Sequence, residues 1–140
     1  MVALLGVMQG MTMAKMVLWS AMNGRVLMNG EPAAGAVLVR DYLWHWKSKR
    51  GTERTLANAA GEFSLPAIEG RSWLGFLPHE PVIEQVMKIE YQGRSYDAWA
   101  SFKRDYNHND ENNGRPINVT CRLEAQRAVH GGVTGICEFD

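Results

Sequence analysis

The chain lacks an excess of charge of either sign, a long apolar run, and more than a minimum of cysteine. Fifteen basic residues stand against fifteen acidic ones, so no long-range field draws it to nucleic acid or to an anionic lipid surface. The nearest thing to a basic patch, "KSKR" at Lys47 to Arg50, is read as a solvated loop between strands. Two cysteines, Cys121 and Cys137, cannot form a zinc site alone and are not spaced as a C-x-x-C redox pair. They are read first as a disulfide joining the last two strands, with a pair of buried, reduced thiols as the alternative. A bridge implies an oxidising compartment, the periplasm; reduced thiols imply the cytoplasm.

No segment suits a membrane-spanning helix. The N-terminal "MVALLGVMQGMTMAKMVLWSAM" is interrupted by Gln9, Thr12 and Lys15. It also lacks a basic n-region and an A-x-A cleavage site. Residues 1–20 are therefore set apart, as the remnant of an export signal or a start codon placed too early, and 21–140 are taken as one domain.

Catalytic and metal motifs are approached and missed. "DYNHNDENNGRP" places Asp105, Asn107 and Asn109 at alternate positions, like a calcium loop. Its sixth residue is Asp110 where glycine belongs, and its twelfth is Pro116 where glutamate belongs. "HGGV" at His130 has the look of an esterase oxyanion loop, but Gly70-Arg71-Ser72-Trp73-Leu74 lacks the second glycine of a nucleophile elbow. His45, His79, His108 and His130 are scattered without metal-ligand spacing. The sequence thus implies no enzyme, no metal and no cofactor.

What is present is β-structure. Alternating apolar runs and turn dipeptides dominate from Asn23 onward: Asn29-Gly30, the reversal from Asn58 to Gly61, and Gln92-Gly93 between runs at 83–91 and 95–100. Phe63 and Leu65 fall on one face, as do Ile117, Val119, Cys121 and Leu123. About seven strands predict an all-β sandwich with a Greek-key, immunoglobulin-like order. One long irregular connection, "EGRSWLGFLPHEP" at 69–81, interrupts it. Its Arg71, Trp73, Phe76, Leu77, His79 and Glu80 are the candidate contact surface for a protein partner, since tryptophan and arginine anchor interfaces. The alternative is a sugar- or small-ligand-binding platform formed by Trp44 and Trp46 on one face of a strand.

Two resemblances extend this. The segment Gly24 to Leu65, with "GRVLMNG", "EPAAGAVLV" and "TLANAAGEFSL", resembles the carboxypeptidase regulatory-like, or transthyretin-like, domain. That implies a sandwich and carries no catalytic residues. The pieces "NGEPAAGA", "GEFSLPAI", "LPHEPVIEQ", "YQGRSYDAW", "KRDY", "GRPINVTCRLE" and "GIC" are similar to an uncharacterised bacterial family. The association of that family with type VI secretion loci implies an immunity protein. Its partner would be a lipase-type toxin encoded by a neighbouring gene and met in the periplasm.

Overall fold

The computed structural model describes residues 14–72 and 77–140. They form an all-β sandwich of thirteen short strands, β1 to β13, where the alternation of the sequence suggests about seven. The surplus comes from interruptions. Pro66 and Ala67, for example, divide one run into β6 (Glu62–Leu65) and β7 (Ile68–Ser72), because proline has no ladder donor.

One layer is a six-stranded antiparallel sheet. Its core is the four long strands β5 (Lys49–Leu56), β4 (Val37–Trp44), β8 (Ile83–Tyr91) and β9 (Arg94–Lys103). The hairpin β12 (Val133–Gly135) and β11 (Ala128–His130) extends it. The other layer is built on β2 (Met22–Met28), which runs parallel to β10 (Ile117–Arg122). On its other side β2 pairs with the short β3 (Glu31–Pro32) and with β6. The last strand, β13 (Cys137–Phe139), lies on β10.

A separate ribbon pairs β1 (Ala14–Trp19) with β7. The sandwich therefore begins ahead of residue 21. Leu18 and Trp19 are fully buried, with Trp19 6.0 Å from Trp99 of the opposite layer. The irregular connection is correspondingly shorter than 69–81, because residues 69–72 are strand.

Turn chemistry sets the registers. Asn29 and Gly30, and Gln92 and Gly93, all take positive φ, the requirement of a tight hairpin turn. At the longer reversal, the Asn58 side chain accepts from the backbone N–H groups of Ala60 and Glu62. Gly61 there has φ +77°, and an added Cβ would lie 2.5 Å from the Val26 carbonyl oxygen. Only glycine fits that position without strain.

The core between the layers holds Leu38, Trp44, Ile83, Met87, Ile89 and Trp99 from one sheet. Met22, Val26, Phe63, Leu65, Ile117 and Val119 face them from the other. Cys121 and Cys137 are directly opposed across β10 and β13 and form a buried disulfide, with Cα atoms 4.0 Å apart. Such a bridge is compatible with an oxidising compartment.

Candidate functional site

At one end of the sandwich, where β4 finishes and residues 77–82 lead into β8, four rings form a chain. Trp44 ends β4 and is 1% exposed. Its ring lies over Gly70 of β7, where an added Cβ would come within 2.5 Å of Cζ3. The backbone then turns through a short 3₁₀ segment, His45–Lys47, so Trp46 leaves the strand and stacks on His79, with ring centroids 3.8 Å apart. Tyr106, from the loop after β9, meets Trp44 edge-on at 6.1 Å.

Donor and acceptor capacity fixes the protons in this chain. The Leu77 carbonyl only accepts, so His79 Nδ1, 2.8 Å away, carries hydrogen. In the neutral ring, Nε2 then accepts from the Tyr106 hydroxyl at 2.7 Å. Tyr106 Oη in turn accepts from Trp44 Nε1 at 3.0 Å. Burial pushes the Tyr106 phenol above its ordinary pKa, against the smaller opposing effect of the Trp44 hydrogen bond, so the hydroxyl stays protonated. The result is a hydrogen-bonded relay that clamps residues 77–79 to the sandwich. Leu77 projects beyond it, 40% exposed.

The expected contact residues divide accordingly. Leu77 is exposed, and the rim residues Arg71 and Glu80 are solvated, within 4.0 Å of Glu69 and 3.8 Å of Arg104 respectively. His79 is part of the clamp. Trp73 and Phe76 lie outside the described residues. The sugar-platform arrangement is corrected: Trp44 and Trp46 do not share a strand face. Trp44 is core, and Trp46 is half-buried with His79 against its ring, so the pair offers no exposed coplanar surface.

Beside this end the polar loop 104–116 is organised from within. The Lys103 ammonium, buried at the end of β9, donates to the Asp105 carbonyl, the Asp105 carboxylate and the Asn107 carbonyl. The residues that imitate a calcium loop thus spend oxygens on an internal cation. Among the described residues, no group of three His, Cys, Asp or Glu side chains could hold a metal ion.

Glu111 reaches inward from the same loop. It accepts from the Ser20 N–H and hydroxyl at 2.8 and 2.7 Å and from Gln85 Nε2 at 3.0 Å. Gln85 also accepts from Trp99 Nε1 at 3.0 Å. Arg40, fully buried, donates to the Ser20 carbonyl, the Pro66 carbonyl and Glu53. Burial lowers its pKa, and Glu53 and Glu111 oppose that. These groups tie the loop to the core.

Tyr106 is the residue that sequence reasoning passed over. Its signal was available: a single aromatic in an Asn- and Asp-rich stretch needs an apolar wall to pack against. No helix among the described residues is long and apolar enough to cross a membrane. No curated protein and no solved structure matches the chain. A family does match, over residues 22–126, a span that takes in the whole ring chain and stops short of Cys137. The chain belongs to that family, described as Domain of unknown function (DUF6795).

Proposed function

We propose that this chain is a non-enzymatic interaction protein whose clamped loop end binds and neutralises a secreted toxin. The observation that carries the proposal is the clamp itself. Both ring nitrogens of His79 are hydrogen-bonded and its face is stacked, so the limb bearing the exposed Leu77 is held before any partner arrives. Preorganised apolar anchors with charged rims suit protein recognition, because little ordering entropy is lost on binding. Arg71 and Glu80 supply such a rim.

The toxin class, a lipase-type effector of type VI secretion, follows from the resemblance of the sequence pieces to the bacterial family described above. The disulfide suits meeting it in the periplasm. The test is binding of the purified chain to the product of the adjacent gene. A Kd of about 1 μM or tighter is expected, weakened at least ~10-fold by Leu77→Asp. No binding at micromolar concentration, or binding indifferent to Leu77→Asp and Arg71→Glu, overturns the proposal.

A further inference from the structure

The clamped end carries positive charge that the chain does not neutralise. Lys47, Lys49 and Arg50 stand together at the tip of the β4–β5 hairpin, and all three are exposed. Among the described residues no carboxylate comes within 4.0 Å of any of them. Residues 1–13 and 73–76 contain no acidic side chain. Carboxylates on the neighbouring strands and in the connection are engaged elsewhere. Glu84 takes His45 at 2.8 Å, Asp41 accepts from the Thr52 hydroxyl, Glu53 holds Arg40, and Glu80 faces Arg104.

The tip is solvated, as its sequence suggests, but it is not a loose loop. Lys47 ends the 3₁₀ segment, and Lys49 and Arg50 open β5. Between them Ser48 takes φ 49°, and its N–H donates to the His45 carbonyl at 3.1 Å. The His45 N–H in turn donates to the Val82 carbonyl at 3.1 Å, and Trp46 stacks on His79. The cationic tip is thus tied at two points to residues 77–82, which bear the exposed Leu77.

We infer that this tip is the electrostatic half of the proposed contact surface, and that the partner meets it with a cluster of carboxylates beside the pocket that receives Leu77. The inference rests on the toxin-binding reading and adds the chemistry of the partner's surface. A protein suits the tip better than a nucleic acid. Trp46 has His79 against its ring and Trp44 is buried, so the clamp offers no pair of open rings on which successive bases could stack. Range decides which charges matter. At physiological salt a charge acts over about 8 Å. β8 carries the chain roughly 26 Å from this end, at ~3.3 Å per residue. Arg94, at the turn beyond β8, therefore lies outside the field of a partner seated on Leu77.

Stopped-flow association with the product of the adjacent gene, from about 25 to 400 mM NaCl, tests it. The association rate should fall at least ~10-fold across that range. At about 150 mM, Lys47→Glu/Lys49→Glu should slow association at least ~5-fold and change dissociation less than about twofold, whereas Leu77→Asp acts on dissociation. Arg94→Glu/Arg122→Glu makes the same change in net charge at the β8–β9 turn and the last residue of β10. It should slow association less than about twofold. All four side chains are exposed, so urea midpoints near that of the parent certify folding. Binding indifferent to the tip variant, or slowed equally by both variants, overturns the inference and leaves the toxin reading in place. Submicromolar binding of a single-stranded RNA of about 20 nucleotides at the same salt, lost in the tip variant, assigns the tip to nucleic acid and overturns it as well. No binding of the gene product by the parent chain overturns the toxin reading and this inference with it.

Discussion

Replacing Tyr106 by Phe removes one oxygen and leaves the ring. That oxygen accepts from Trp44 Nε1 and donates to His79 Nε2, so two hydrogen bonds disappear with almost no change in packing volume. The two losses are unequal. Trp44 is 1% exposed, and its N–H is left in a dry site without an acceptor, which costs about 1–3 kcal/mol. His79 is half-buried and can turn its freed nitrogen to water, adding at most about 1 kcal/mol. The sum, about 1–4 kcal/mol, lowers Tm by roughly 2–16 °C for a chain of this size. Urea unfolding followed by tryptophan fluorescence measures it directly. His79→Ala is the internal comparison: it forfeits the Trp46 stack, about 0.5–1.5 kcal/mol, and the hydrogen bonds to the Leu77 carbonyl and the Tyr106 hydroxyl, but leaves the Trp44–Tyr106 bond intact. The two losses should be of similar size. A Tyr106→Phe loss under about 0.5 kcal/mol would mean that packing alone holds this end together.

Three further outcomes are expected. Gly70→Ala drives a methyl into the Trp44 ring and should cost about 1–3 kcal/mol by overpacking, read in the same unfolding assay; a neutral result would show that the ring moves freely. Cys121→Ser opens a 16-residue separation and should lower stability by about 3 kcal/mol, with reduction of the parent giving a similar loss in thermal melts. The third concerns pH. Burial works to raise the Asp105 pKa, but the Asn107 N–H, the Asp110 carboxyl and Lys103 outweigh it and hold the pKa below the ordinary range; burial and Asp105 hold Asp110 above it. The Asp105 contribution is present above its unfolded pKa and fades as pH falls through its lower folded value. The Asp110 contribution is present below about pH 4 and is lost as pH rises through its raised folded value. Asp110→Asn should therefore raise the urea midpoint at pH 7, by under about 1 kcal/mol because the side chain is exposed; a lowered midpoint contradicts the assignment.

How legible this was in the sequence depended on the range of the interaction. Hairpins announce themselves through adjacent residues. Asn29-Gly30 and Gln92-Gly93 form turns where their dipeptides place them, and Met87 and Ile89 face the core opposite Lys88, as alternation requires. The Cys121–Cys137 pairing was equally accessible, because two cysteines admit one intramolecular bridge. What escaped depends on residues far apart in the chain. Ser20 and Glu111 are 91 positions distant, and Gln85 and Arg40 look like solvated strand residues until those partners are placed. β1 was hidden for another reason: it is buried on both faces from Met16 to Trp19, so it shows no alternation to read. Trp44 and Trp46 misled because a 3₁₀ turn begins between them and ends the period of two. For the candidate site, the exposed positions of Leu77 and Glu80 in the connection could be read from the sequence, Arg71 proved to be an exposed strand residue of β7, and the clamp, which needs Tyr106, could not be read.

The segment from Ala128 to Phe139 crosses from one layer to the other. β11 and β12 complete the six-stranded sheet, β13 completes the layer built on β2, and Ile136 bridges them. Both sheets therefore have an open edge until these residues leave the ribosome, and Cys121 has no thiol to join before Cys137 emerges. β2 likewise waits for β10, across some ninety residues, to gain its parallel neighbour. Synthesis from the N-terminus does not yield a stable part of this sandwich early. A nascent chain halted before residue 128 leaves one edge of β9 and one edge of β10 unpaired, and it depends on whatever shields such edges until the last hairpin arrives.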